Sequence, residues 1–191
     1  MKKLTILLSL VLLPCCDAGP YPTIDSGPKA LFAGDSNFEG KLPSLYKILQ
    51  RKYGWFLAGE AYSGSSLSCD GGHWLARAGE ALDGIEVVVV AVGTNDLTLG
   101  CDLAAYEANF LTLLSLTQAR VYVIVPGTYL YGFNVHTTPA RVDQLRSFLH
   151  SLDAQGLITT ISPDGDVTED GVHLKKVVLE NVLDLIGQME E

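Results

Sequence analysis

Glu86-Val87-Val88-Val89-Val90-Ala91-Val92 is the stretch that most restricts how this chain can fold. β-Branched residues stand at consecutive positions, so both faces of the strand they form are apolar. A strand of that kind belongs inside a parallel sheet with helices on either side. The remaining sequence supplies both partners. Ala30 to Ala33, Trp55 to Gly59, Val121 to Val125 and Leu157 to Ile161 are further short apolar runs with strand character. Between them lie segments of helical spacing. Leu42, Leu45, Ile48 and Leu49 mark a helix over Pro43 to Arg51 that Gly54 closes, and a second runs from about Trp74 to Leu82. Asp102 caps a third, whose stripe is Leu103, Tyr106, Phe110, Leu113 and Leu114; Thr138-Pro139 starts a fourth with a capping hydroxyl and proline in its first turn. Leu174, Val177, Val178, Val182, Leu185, Ile186 and Met189 form the apolar face of a last helix. Strand and helix alternating five times give an α/β fold, a three-layer sandwich with a five-stranded parallel sheet and helices on both faces.

The sheet forms one domain, spanning residues 29–191. Of 191 residues 48% are hydrophobic and 18% charged, enough apolar material for one real core and no sign of a second. Met1-Lys2-Lys3 followed by Leu4 to Leu13 has the basic start and short apolar run of a secretory signal, so residues 1–18 are read as a signal peptide and the protein as exported, periplasmic or secreted. An alternative is a lipoprotein signal, with acylation at Cys15 or Cys16 anchoring the protein to a membrane. Residues 19–28, rich in Gly and Pro, are a linker. A formal net charge of −9 argues against nucleic acid as a partner and against electrostatic binding to an anionic membrane.

Ligand sites in such sheets lie beyond the C-terminal ends of the strands, near the point where strand order reverses. Polar clusters follow the first three strands: Gly34-Asp35-Ser36-Asn37, Ser63 to Ser66, and Gly93-Thr94-Asn95-Asp96. If the first strand lies between the second and third, all three share one rim. Ser36 is read at a strand-to-helix handover, where unpaired N–H groups and the helix dipole favour an oxyanion. Asn95 can donate a side-chain hydrogen bond to such an anion, and Gly64, lacking a side chain, lets its N–H approach a ligand closely. Asp170-Gly171-Val172-His173 precedes the last helix. There the carboxylate can fix the imidazole tautomer, leaving the other ring nitrogen to take a proton from a serine. Each pattern alone has a plain structural reading: turn, Asx turn, turn glycine, surface pair.

Taken together and in order, these residues resemble the SGNH/GDSL hydrolase superfamily, whose four blocks carry a nucleophilic Ser, a Gly, an Asn and an Asp-x-x-His. Gly34-Asp35-Ser36, Gly64, Gly93-Thr94-Asn95-Asp96 and Asp170-Gly171-Val172-His173 match those blocks from about Lys29 to the last helix. The resemblance implies a flavodoxin-like sheet and hydrolysis of ester bonds in a small-molecule, glycan or lipid acyl ester. It implies Ser36 as nucleophile, His173 as general base then acid, Asp170 as its orienting partner, and an oxyanion hole of the Ser36 and Gly64 N–H groups with the Asn95 amide. The sequence departs from the common pattern at Asn37, where many members have leucine, and at the two lysines after Leu174.

Two rivals stay open. Gly64-Ser65-Ser66-Leu67-Ser68 nearly spells the elbow of α/β-hydrolases, with Ser66 as nucleophile, but lacks the final glycine. A non-catalytic module binding a glycan or acyl ligand on the same fold is the other; it would be expected to have lost at least one catalytic position, and none is lost. Cys69, His73, Cys101 and His136 show no zinc-type spacing, so no metal and no cofactor is expected. Cys69 and Cys101 instead suit a disulfide in an exported protein. Tyr129, Tyr131 and Phe133, on the loop after the fourth strand, are candidates to line a substrate cleft.

Overall fold

In the computed structural model the valine run becomes β3 (Val87–Ala91), and every residue of it is buried. The structure describes residues 27–37, 41–61, 66–69, 82, 84–163, 167–168 and 170–191; the side chains at 42, 43, 46 and 57–61 are outside that description. The signal segment with Cys15 and Cys16, most of the linker, Gly64 and the helix expected around Trp74 lie outside the described residues.

β3 pairs in parallel with β1 (Lys29–Gly34) on one side and β4 (Arg120–Ile124) on the other. β2 (Phe56–Ala61) lies outside β1, and the short β5 (Thr159–Ile161) outside β4, giving the order β2-β1-β3-β4-β5. β1 therefore sits between β2 and β3, as the single-rim reading requires. Strand order reverses at β1/β3, with Ala91 opposite Gly34 at the last register position.

Period-two alternation divides the core. Ala30, Phe32, Val87, Val89 and Ala91 face one layer, with Leu45, Leu49, Val178, Leu179, Val182 and Ile186. Leu31, Ala33, Val88 and Val90 face the other, with Tyr106, Phe110, Leu113, Leu145 and Leu149. The helices of the first layer are α1 (Leu42–Tyr53) and α5 (Lys176–Met189). Those of the second are α3 (Leu103–Ser115) and α4 (Pro139–Ala154), and a short α2 (Thr94–Thr98) follows β3. The caps fall where the sequence puts them. The Asp102 carboxylate accepts from the Ala104 N–H at 2.9 Å, and the Thr138 hydroxyl accepts from Arg141. Gly54 ends α1 at φ 69°.

Three expectations change. The last strand starts at Thr159 rather than Leu157, because Gly156 at φ 70° closes α4 and the Leu157 N–H turns back to the Leu152 carbonyl at 3.1 Å. Leu157 is then left exposed. On α5 the buried stripe is Val178, Leu179, Val182, Leu183 and Ile186, whereas Val177, Leu185 and Met189 are exposed. An i, i+3/i+4 stripe centred on 182 rotates those three toward solvent. Leu174 is not helical: it is buried ahead of α5, bridged antiparallel to Val167.

Candidate active site

Ser36 follows β1 in a turn, and α1 begins at Leu42, one residue before the expected Pro43. What reaches the serine is His173. The Ser36 Oγ lies 2.8 Å from the His173 Nε2, although 137 residues separate the two in sequence. The Nδ1 of the same ring lies 2.6 Å from the Asp170 Oδ2. Serine, imidazole and carboxylate form one hydrogen-bonded line.

The turn that carries Asp170 and His173 is held from within. Gly171 takes φ 71°, a left-handed conformation that side chains resist, and its N–H closes a turn onto the Thr168 carbonyl at 2.9 Å. The Thr168 N–H donates to the His173 carbonyl at 2.7 Å. The second carboxylate oxygen of Asp170 accepts from the Thr168 hydroxyl at 2.6 Å and from the Val172 and His173 N–H groups at 2.9 and 3.0 Å. These donors, Thr168 foremost, hold the Asp170 carboxyl well below the usual carboxylate range. An ionised Asp170 is the state that orients an imidazole and supports its charging. The carboxylate is half exposed and the imidazole about one-third exposed, so water can reach the ring.

Asp35 and Asn37 flank Ser36 and are both buried. The Asp35 Oδ1 accepts from the Asn37 N–H at 2.9 Å and from the Asn37 side-chain amide at 3.1 Å, while its Oδ2 is buried without a partner among the described residues. Burial outweighs those hydrogen bonds and pushes the Asp35 carboxyl up to about 6. The Asn37 Oδ1 accepts from the Leu174 N–H at 2.8 Å. Lys41 adds a hydrogen bond from Nζ to the Leu174 carbonyl at 3.2 Å.

Asn95 stands on α2, directly beyond the C-terminal end of β3, on the strand beside the one that delivers Ser36. Gly93 opens that turn at φ 127°, and a Cβ there would also press on Leu145 and Pro126. Neighbouring Asp96 is fully buried and holds the segment after β2. Its carboxylate accepts from the Leu67 N–H at 3.0 Å, the Ser68 N–H at 2.8 Å and the Ser68 hydroxyl at 2.5 Å. Burial raises its pKa against these donors. A disulfide between Cys69 and Cys101, with Cα atoms 5.4 Å apart, ties the same two segments together. Ser66, the rival nucleophile, is buried, and its Oγ accepts from the Cys69 N–H at 2.9 Å. The imidazole of His173 sits on Ser36 instead.

The three loop aromatics separate. Tyr129 is packed against both halves of the core, and burial pushes its hydroxyl up to about 12. With Asn37, Thr94, Pro126 and Leu174 it lines a small cleft beside the serine turn. Tyr131 is partly exposed and bonds the Asp143 carboxylate. Phe133 is 44% exposed, and its ring lies over Gly171, 3.7 Å from where a Cβ would stand, beside the His173 turn. Among the described residues no group of three His, Cys, Asp or Glu side chains is arranged to hold a metal ion.

Sequence inspection gave no role to Asn37, Asp96 or Thr168. For Asn37 and Asp96 the partners lie 137 and 28 residues away and leave no spacing signal, whereas Thr168 bonds Asp170 two residues on, so a Thr-x-Asp pattern was the local signal for it.

No protein-family model matches the sequence, and no curated protein does. Solved structures match along most of the chain. A lipase/acylhydrolase from Enterococcus faecalis superposes with a TM-score of 0.71 at 20% identity, covering 85% of this chain and 94% of its own. A lipolytic protein of the G-D-S-L family from Veillonella parvula DSM 2008 gives 0.63 at 16% identity, covering 83% and 96%. An acetyl xylan esterase gives 0.61 at 19% identity, covering 84% and 98%. The fold is thus a three-layer α/β sandwich shared with these proteins.

Proposed function

We propose that the chain is an SGNH-type serine hydrolase that cleaves carboxylic ester bonds by a double displacement. The observation that carries this is the Ser36–His173–Asp170 line, with separations of 2.8 and 2.6 Å. The fold shared with a lipase/acylhydrolase and an acetyl xylan esterase supports the same reaction class.

In the first displacement the Ser36 Oγ attacks the acyl carbon while its proton passes to the His173 Nε2. Asp170 keeps the Nδ1–H pointed at itself, so Nε2 is the basic nitrogen, and its negative charge stabilises the imidazolium. The carbonyl oxygen becomes an oxyanion received by the Ser36 N–H and the Asn95 amide; the Gly64 N–H is the third donor that the motif pattern assigns. Collapse breaks the C–O bond, and His173 returns the proton to the leaving alcohol. Water then enters, gives its proton to His173 and attacks the acyl-enzyme. Release of the acid restores the Ser36 hydroxyl. The partial exposure of His173 leaves a path for that water.

The Cys69–Cys101 disulfide and the basic-then-apolar N-terminus support export, with a lipid anchor at Cys15 or Cys16 as the alternative. Of the three loop aromatics, Phe133, exposed over the Gly171 turn, is the best placed to touch substrate.

The test is labelling with a fluorophosphonate, with the modified peptide identified, beside hydrolysis of p-nitrophenyl acetate by the wild type and Ser36→Ala. Attachment at Ser36 and loss of hydrolysis in the variant are expected. A label at Ser66, or turnover surviving Ser36→Ala, overturns the assignment.

A further inference from the structure

The reacting pair comes from opposite ends of the domain, and one hydrogen bond of 2.8 Å does not align two independent loops. Their alignment depends on what joins the backbones. Asn37 follows Ser36 and Leu174 follows His173, and the Asn37 Oδ1 receives the Leu174 N–H at 2.8 Å. The bridge thus lies one residue beyond each member of the pair. It is buried: Asn37 is 4% exposed and Leu174 3%.

The direction of the amide is set by its other end. The Asp35 Oδ1 accepts from both the Asn37 N–H and the side-chain Nδ2, at 2.9 and 3.1 Å. With the nitrogen turned to that acceptor, the amide oxygen must face the Leu174 N–H, which can only donate. Asp35 is itself fixed, since its own N–H donates to the Ala91 carbonyl at 3.2 Å, on the central strand. The chain of contacts runs from β3 through Asp35 and Asn37 to the segment that carries His173.

We propose that Asn37 is a positioning residue, whose amide, oriented by Asp35, sets the register between the Ser36 turn and the His173 turn. This rests on the esterase reading above. Hydrocarbon at position 37 would leave the Leu174 N–H buried without an acceptor, and the histidine turn free to shift. A carboxylate would keep the acceptor but lose the donor to Asp35.

Both replacements test the role through kcat, KM and the rate of fluorophosphonate labelling. Asn37→Leu is expected to lower kcat and the labelling rate together by roughly 10- to 100-fold, with KM within about twofold, since displacement of reacting groups by about 1 Å can cost 10²-fold. Asn37→Asp gives a sharper readout. It sets two carboxyl groups about 3 Å apart, so one of them holds a proton when the pH falls, and that proton restores the missing hydrogen bond. The ratio of its kcat/KM to wild type at the same pH should rise about tenfold between pH 8 and pH 5.5. His173, Asp96, Lys41, Tyr106 and Tyr129, the other titratable groups acting on Asp35, are present in both proteins and largely cancel in the ratio.

A folded Asn37→Leu that labels at the wild-type rate overturns the proposal. So does an Asn37→Asp ratio independent of pH, which decides the matter if the leucine variant does not fold. A wild-type protein that never labels at Ser36 fails earlier, at the esterase reading, and takes the positioning role with it.

Discussion

Removing the Cys69–Cys101 disulfide should lower the melting temperature strongly and the activity hardly at all. The bridge joins residues 32 apart. On the chain-entropy account, closing a loop of that length removes about 12.5 cal/mol/K from the unfolded chain, or about 3.7 kcal/mol at 25 °C. For a domain of this size each kcal/mol moves the midpoint by about 2 to 4 °C, so Cys69→Ala/Cys101→Ala should melt about 7 to 15 °C lower. Activity at 25 °C should survive, because the three hydrogen bonds from Leu67 and Ser68 to Asp96 hold the same segment against the β3 exit. Adding Asp96→Asn to the double cysteine variant removes the second tie, and kcat should then fall although neither change touches Ser36. The assays are a thermal melt by circular dichroism and steady-state hydrolysis of an aryl ester. A double cysteine variant melting within about 2 °C of wild type would refute the loop-closure argument. Loss of activity in that variant alone, while still folded, would refute the role given to Asp96.

Asn95→Ala should lower kcat by roughly 100- to 1,000-fold with little change in KM or melting temperature, as expected of a donor to the oxyanion; a folded variant with near-normal kcat would remove Asn95 from the hole. Asp170→Asn should cost less kcat than His173→Ala, because Thr168 and the turn's own backbone bonds still shape the turn and the imidazole that takes the proton is still present; equal losses would mean that the base cannot work at all without the carboxylate. The two carboxylates act oppositely on stability. Asp35 titrates at about 6 when folded and about 3.9 when unfolded, so between those values the folded state binds the extra proton and stability falls as pH rises, by about 3 kcal/mol, then levels off above 6. Asp170, depressed when folded, stabilises above about pH 3.9 and loses that contribution as acid titrates the folded carboxyl. Urea midpoints from pH 4 to 7 should therefore show a downward component that is absent in Asp35→Asn, and an unchanged slope in that variant would contradict the buried-carboxyl assignment.

The sheet was legible because burial on both faces writes itself into consecutive positions. Val87 to Ala91 needed no tertiary information, and the caps at Asp102 and Thr138 are local chemistry. Ser36, Asp170 and His173 were legible as a motif set, and the fold brings the serine hydroxyl to 2.8 Å from the imidazole. The ends of elements were less so. Leu157 and Val177 are apolar enough to join the neighbouring pattern, yet the turn at Gly156 and the rotation of α5 leave both exposed. Least legible were the residues that hold the site together. Asn37 looks like an ordinary turn asparagine until Leu174 is folded against it, and Asp96 like half of an Asx turn until Leu67 and Ser68 arrive.

The pairing of an early serine with a late histidine also fixes when this machinery exists. Ser36 rides on β1, but its imidazole partner is delivered only as α5 packs beside α1, where the Tyr53 hydroxyl bonds the Asp184 carboxylate at 2.6 Å and Lys52 pairs with the same group. On the proposed mechanism, a chain that has built its sheet but not docked that final helix would have a serine without His173 to take its proton. Catalytic competence would then report completed long-range closure, and an agent that peels α5 away would silence Ser36 without touching it.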